Sequence, residues 1–130
     1  MSPVVHFEMP AKNSKRVADF YSEVFGWQMN QLGPDMGNYL LANTTETDKN
    51  GMVKTPGNIN GGFWEYKEGE GEQIPHIVIS VDNLSESMEA VKSFGGEIIG
   101  ETMDIPGIGQ FVMFKDTEGN RVGMLRPVKM

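Results

Sequence analysis

An internal repeat constrains this sequence more than any other feature, because the second half restates the pattern of the first half. The offset from His6 to His76 is 70 (76 − 6). The segments "MGNYLLA" and "IGQFVMF" share a glycine, a polar residue, an aromatic residue and an apolar run, and the offset from Gly37 to Gly109 is 72 (109 − 37). Offsets that agree within a short insertion predict two copies of one structural unit.

Each copy begins with a run of strand formers, "VVHFEM" in the first and "HIVISV" in the second, and each run is followed by a helical pattern. We expect the first helix to begin at Asn13 or Ser14 and the second at Asn83 or Ser85, because these side chains can cap the first turn. The apolar face predicted for the first helix consists of Val17, Phe20, Tyr21, Val24 and Phe25.

Three further strands complete each copy, with glycine-rich turns between them. The repeat therefore predicts an α+β fold of two βαβββ modules in tandem, at 1–66 and 74–130, joined by a linker at 67–73. One such sheet cannot bury its face alone. We expect the modules to pair around a shared core as a single domain with an open, barrel-like cleft.

The last strands of the two copies align through "GNINGGF" at 57–63 and "GNRVGML" at 119–125, at an offset of 62 (119 − 57). This alignment pairs Gly61 with Gly123. The offset is smaller by ten than that of the preceding strands (72 − 62), so the first copy is longer by the same amount. The polar stretch "NTTETDKNGMVKTPG" predicts a surface loop that accommodates the extra residues.

Composition and charge exclude several classes of partner. Eleven Lys and Arg against 18 Asp and Glu give a net charge of −7, which repels nucleic-acid phosphates and anionic lipid surfaces. The chain has no cysteine, so thiolate metal sites and disulfides are excluded. Its first residues lack the basic and apolar segments of an export signal. We expect a cytoplasmic protein without a membrane or nucleic-acid partner.

The segments "VHFEMP", "RVADFYSEVFGW", "PHIVISVDN" and "FKDTEGNRVGML", in this order, resemble the vicinal oxygen chelate superfamily. That superfamily includes glyoxalase I, the bleomycin-resistance proteins and the extradiol dioxygenases. The resemblance covers nearly the whole chain and implies the glyoxalase/bleomycin-resistance fold and a homodimer. It does not specify a reaction, because the fold serves both enzymes and binding proteins.

In metal-dependent members, the resemblance implies one ligand from the first strand and one from the last strand of each module. His6 and His76 occupy the first-strand positions, whereas the carboxylate positions of the last strands align with Gly61 and Gly123. Two imidazoles alone give a divalent metal too few ligands and no neutralising charge. We therefore expect no cofactor, and a divalent metal, if one binds, to be held by His6 and His76. The two glycines would leave room for an organic ligand.

Strand alternation places Glu8 on the face of His6, and Phe63 and Glu65 on the face of Gly61. The predicted ligand-binding cleft therefore consists of His6, Glu8, Phe63, Glu65 and His76. For both histidines, packing in the structure is the alternative to a role in binding.

Three functions are compatible with the resemblance and with these residues, and they leave open whether the protein is an enzyme. The first is a binding protein of the bleomycin-resistance kind that holds a small organic molecule without a complete metal site. The second is a metal-dependent lyase or dioxygenase-type enzyme, in which a Lewis-acidic ion is essential. A metal-free enzyme with Glu8 or a histidine as its base is a third.

Overall fold

The computed structural model describes residues 1–128. In chain order, its helices and strands are β1 (Val4–Ala11), α1 (Ser14–Phe25), β2 (Gln28–Gln31), β3 (Leu40–Asn43), β4 (Asn60–Glu65), β5 (His76–Ser80), α2 (Leu84–Ser93), β6 (Glu97–Ile105), β7 (Gly109–Lys115) and β8 (Arg121–Pro127). The order βαβββ thus occurs twice, and the predicted α+β class with two such modules is confirmed. Within residues 1–128, no helix has the length and apolar character needed to cross a membrane.

The chain divides into two compact units. The first unit is His6–Pro75, and the second unit joins Met1–Val5 to the chain from His76 onward. The Ser80 amide in the second unit donates to the Pro3 carbonyl at 2.9 Å, which shows how the N-terminal residues attach to β5.

The first unit has a sheet of strand order β2-β3-β4-β1, in which β1 and β4 are parallel and the other neighbours are antiparallel. Helix α1 begins at the N-cap Asn13, whose side chain accepts from the Arg16 amide at 2.9 Å, and ends at Gly26 in the left-handed region (φ 73°). One face of the sheet is buried. Its core residues are Ala11, Leu40, Ala42 and Phe63, with Phe7, Met9, Val17, Ala18, Tyr21, Trp27 and Met29 packed against them.

The apolar face predicted for α1 is only partly the buried face. Val17 and Tyr21 pack against the core, whereas Phe20, Val24 and Phe25 are 54%, 55% and 61% exposed. Ala18 is the third residue of α1 that packs against the core. The stripe of α1 that packs against the sheet therefore follows positions 17, 18 and 21.

The second unit has a sheet of order β5-β8-β7-β6, with β5 and β8 parallel and an irregularity in β6 between Ile99 and Met103. Helix α2 is capped by Asn83, which accepts from the Glu86 amide at 3.0 Å. The core of the second unit consists of Val81, Leu84, Val112 and Met124, with Ile79, Met88, Val91, Ile98 and Phe114 packed against it.

The strand registers give a more accurate alignment of the repeat than the sequence does. Glu8 of β1 pairs with Gly62 of β4, and Val78 of β5 pairs with Gly123 of β8. Because the offset from Glu8 to Val78 equals the offset from His6 to His76 (78 − 8 = 76 − 6), Gly62 is the structural counterpart of Gly123. The offset of these strands is 61 (123 − 62), so the sequence alignment was wrong by one residue.

Candidate functional site

Alternation along β1 separates two chemically different faces of the first unit. Phe7 packs against the core on the helix side, and its ring lies 5.6 Å from that of Trp27. His6 and Glu8, on either side of Phe7 in the strand, therefore point to the opposite face. Both are half-buried.

The segment between β2 and β3 presents Tyr39 to this opposite face. It contains a short 3-10 helix, Pro34–Met36, that ends at Gly37 in the left-handed region (φ 66°). The side-chain amide of Gln31 donates to the carbonyls of Asn38 at 2.8 Å and Tyr39 at 3.3 Å, and the Leu32 amide donates to the Tyr39 carbonyl at 2.9 Å. These bonds fix the backbone from which the tyrosine side chain extends.

The hydroxyl of Tyr39 joins His6 to Glu8. It donates to Glu8 Oε2 at 2.8 Å, and it lies 3.2 Å from His6 Nε2. Because a phenol has one proton and this proton goes to the carboxylate, the contact with His6 requires a proton on Nε2. The neutral imidazole is therefore the Nε2–H tautomer. We call His6, Tyr39 and Glu8 the polar triad.

Burial and the neighbouring Glu8 carboxylate both favour the neutral phenol. Burial is the larger cause, followed by the negative charge of Glu8 and the hydrogen bond to it, and together they raise the pKa of Tyr39 above its ordinary value. Tyr39 therefore keeps its proton at neutral pH and donates it to Glu8.

The glycine pair of β4 lies between two aromatic rings. A β-carbon added to Gly61 would come within 2.5 Å of the Phe7 ring on the helix side, and one added to Gly62 would overlap the Tyr39 ring on the other side. In the second unit, a β-carbon on Gly123 would lie 2.7 Å from the Phe111 ring. Aromatic rings thus fill the space beside Gly61, Gly62 and Gly123. The room for a ligand that we expected at Gly61 and Gly123 is therefore absent.

The other predicted site residues of the first unit lie away from the polar triad. Phe63 is 2% exposed in the core, where its ring centroid lies 5.5 Å from that of Tyr21. The prediction placed it on the ligand face because the repeat was aligned through Gly61 instead of Gly62. Glu65, at the exposed end of β4, accepts from the Asn38 side-chain amide at 3.2 Å.

His76 begins β5 in the second unit and is half-buried. Its first-unit counterpart His6 has Glu8 two positions along the strand, whereas the residue two positions after His76 is Val78, which is 2% exposed. The counterpart of Tyr39 is Phe111 (111 − 39 = 72), the same offset as Gly37 and Gly109. The hydrogen-bonding groups of the polar triad thus have apolar equivalents at two of three positions in the second unit.

Asn60 is the Cα partner of His6 in β4, but its side chain is engaged with the following loop. Its Oδ1 accepts from the amides of Thr44 at 2.8 Å and Thr45 at 3.3 Å. Asn60 therefore holds the end of β3 in place through these two bonds. We do not count it as part of the polar triad.

The donor set does not fit the divalent metal centre that the family resemblance implies. The last-strand ligand positions, Gly62 and Gly123, have no side-chain donor, and aromatic rings occupy the space beside them. Among residues 1–128, His, Cys, Asp and Glu form no group of three that could hold a metal ion. His6 Nε2 lies 3.2 Å from the Tyr39 hydroxyl, so a metal ion bound through that nitrogen would displace this contact.

Tyr39 is the residue of this site that the sequence analysis missed. The aligned segments "MGNYLLA" and "IGQFVMF" differ there by one hydroxyl, tyrosine against phenylalanine. The hydroxyl that only one copy of the repeat carries could have identified Tyr39 as a site residue, because packing requires only the aromatic ring.

Comparison with known proteins shows to which family the chain belongs. A 118-residue alignment is 33% identical to a glyoxylase-like domain-containing protein of Didymella fabae, covering 87% of this chain and 84% of that protein. A Mycobacterium bovis protein named among the glyoxylases, CFP32, is 24% identical over 109 residues, and the chain spans 38% of its length.

Among solved structures, methylmalonyl-CoA epimerase from Mycobacterium tuberculosis has the same fold, with a TM-score of 0.68 at 13% identity over 97% of this chain and 88% of the epimerase. The family profile described as Glyoxalase/Bleomycin resistance protein/Dioxygenase superfamily matches residues 4–124. This chain therefore belongs to the glyoxalase/bleomycin resistance protein/dioxygenase superfamily.

Proposed function

We propose that the protein binds a small organic molecule at the polar triad, without a divalent metal. The observation that carries the proposal is the Tyr39 hydroxyl, held 2.8 Å from Glu8 Oε2 and 3.2 Å from His6 Nε2. Three polar side chains bonded to one another on a sheet face give a rigid set of hydrogen-bonding groups, and fixed polar groups beside apolar surface are typical of ligand sites.

The apolar surface that accompanies these groups is the Tyr39 ring itself. The ring covers Gly62, so one side of it rests on the backbone of β4. Gln31 fixes the backbone behind it through bonds to the carbonyls of Asn38 and Tyr39. Such a ring loses little conformational freedom when a ligand packs on it, and this lowers the cost of binding.

The metal-dependent lyase or dioxygenase would require donors that Gly62 and Gly123 do not provide. The epimerase among the structural neighbours suggests methylmalonyl-CoA as one compound worth testing. A cytoplasmic location and a homodimer remain predictions from the sequence and the family resemblance.

Metal ions should not change the affinity for a ligand, whereas loss of the Tyr39 hydroxyl should lower it. We would screen a fragment library and methylmalonyl-CoA by ligand-observed NMR, with a chelator and then with added nickel, zinc or manganese. Compounds that bind should do so equally in both conditions. Tyr39→Phe should weaken the binding of these compounds about tenfold or more. The variant removes the hydrogen bond from the Tyr39 hydroxyl to the charged Glu8 carboxylate, and a bond of this kind contributes about 1.5–3 kcal/mol.

Tyr66→Phe is the matched control, since it removes a hydroxyl from another half-buried tyrosine, whose ring contacts Lys12 instead of the polar triad. Its affinities should equal those of the wild type. Binding that appears only after metal addition, or that Tyr39→Phe and Tyr66→Phe weaken equally, would contradict the proposal.

A further inference from the structure

The sequence has two Asn-Gly dipeptides, Asn50-Gly51 and Asn60-Gly61, and both lie in the first unit. Asparagine is among the thermolabile residues of proteins. A following glycine makes it more reactive, because glycine has no β-carbon to shield its amide nitrogen from the asparagine side chain. The two dipeptides share this chemistry but have different surroundings in the fold.

Asn50-Gly51 forms the tip of a short hairpin between β3 and β4. The Asp48 amide donates to the Met52 carbonyl at 2.8 Å, and the Gly51 amide donates to the Asp48 carbonyl at 3.0 Å. Gly51 has a φ of 80°, which suits the bulge that closes such a hairpin. Both residues of the dipeptide are exposed, and a β-carbon placed on Gly51 would meet open space. Freeing the Gly51 amide therefore requires only local opening of an exposed turn, which costs little free energy.

Asn60-Gly61 begins β4, a strand that pairs with β1 on one side and with β3 on the other. Gly61 is buried, and Asn60 Oδ1 accepts from the amides of Thr44 and Thr45. The backbone at Asn60 can rotate only if β4 separates from its neighbours, and this would expose the core around Phe63. Openings that disrupt a core cost far more than openings of a surface turn.

We infer that Asn50 is a site of spontaneous deamidation in the folded protein and that the sheet protects Asn60. Hydroxide removes the Gly51 amide proton, and the nitrogen bonds to the carboxamide carbon of Asn50. The carboxamide C–N bond breaks, ammonia leaves with a proton from water, and a succinimide ring remains. Water then adds to either ring carbonyl and breaks its bond to the ring nitrogen, which gives aspartate or isoaspartate. The net change is loss of ammonia and gain of water, and the inference is independent of the proposed function.

Either product changes the hairpin that forms it. The new carboxylate takes the net charge from −7 to −8 (−7 − 1 = −8). It arises beside Asp48, whose Oδ1 accepts from the Asn50 amide at 2.8 Å, and like charges repel. Isoaspartate also lengthens the main chain by a methylene group, so the bond between Asp48 and Met52 loses its register. We therefore expect the hairpin to open after the conversion.

Peptide mapping of the aged wild-type protein tests the inference. The folded protein would be incubated at mildly alkaline pH and digested with pepsin in acid, where the amide nitrogen keeps its proton and the reaction is slow. Mass spectrometry would follow the conversion of amide to acid at each position. Asn50 should convert at least about tenfold faster than Asn60, and its product should separate into aspartyl and isoaspartyl peptides of equal mass.

The same incubation in guanidinium chloride is the matched control, because unfolding removes the protection and both asparagines precede glycine. The two rates should then become similar. Asn50→Gln should abolish the conversion at that position in the folded protein, since the longer side chain would have to close a larger ring. Equal rates in the folded protein, or faster conversion of Asn60, would overturn the inference. An Asn50 that converts only in guanidinium chloride would also overturn it, because the hairpin would then be protective.

Discussion

Replacing Phe63 by alanine should lower the free energy of unfolding by about 3–5 kcal/mol, the range found for large aromatic truncations in cores. The ring is 2% exposed and packs beside Tyr21, Leu40 and Ala42. Its removal would leave a cavity beneath α1 that the surrounding side chains fill only in part. Chemical denaturation followed by circular dichroism would measure the change.

Two further variants make this result decisive. Phe63→Leu retains most of the volume, so it should fold with a smaller loss and bind the same ligands as the wild type. Phe94→Ala removes a ring that is 84% exposed and should change stability by no more than about 0.5 kcal/mol. If Phe63→Leu were as stable as the wild type but bound no ligand, Phe63 would be a ligand residue, as the sequence first indicated.

Gly62→Ala should lower the free energy of unfolding by about 1–3 kcal/mol, the usual cost of forcing an extra group into a packed site. The new methyl group would overlap the Tyr39 ring. Glycine to alanine at an ordinary strand position is expected to stabilise instead, because it reduces the freedom of the unfolded chain. A loss would therefore report the overlap with the ring and not the backbone.

The overlap can be isolated with a double-mutant cycle, because Tyr39→Ala removes the ring that the methyl group meets. In that background Gly62→Ala should cost almost nothing, which gives a coupling energy of about 1–3 kcal/mol between the two positions. Gly33→Ala is the control, at an exposed glycine with φ −87° whose nearest contact is the flexible Asp35 side chain. Equal costs of Gly62→Ala with and without the ring would show that Tyr39 does not cover Gly62.

The repeat predicted the architecture well because the sequence pattern of each module indicates the same order of strands and helices independently of the other. The strand formers, the helix caps and the turn glycines recur at similar offsets, and the structure has both predicted helices with Asn13 and Asn83 as their N-caps. Such local signals do not depend on which residues meet in space. They therefore suffice for the order of strands and helices and for the family.

The candidate site depended on a single residue of register, and there the sequence was insufficient. Three positions separate Gly57 from Asn60 at the start of β4, but two separate Gly119 from Arg121 at the start of β8. An alignment through the turn glycines consequently shifts β4 by one residue. Because strand side chains alternate, this shift moved Phe63 from the core to the ligand face.

The contact between Tyr39, His6 and Glu8 could not be predicted from spacing, because it joins residues more than 30 positions apart in the chain. It depends on the turn that Gln31 holds and on the missing side chain at Gly62. Each of these residues has an ordinary explanation when it is considered alone. Only their combination in the folded unit produces the polar triad.

The most direct test of the polar triad is the tautomer of His6, measured from the ring ¹⁵N chemical shifts. The chain has two histidines, so His76 serves as an internal reference in the same spectrum. The wild type should show His6 with a protonated Nε2 and an unprotonated Nδ1, Tyr39→Phe should abolish that preference, and His76 should be unchanged in both. A wild-type His6 with its proton on Nδ1, or one indifferent to Tyr39→Phe, would contradict the account.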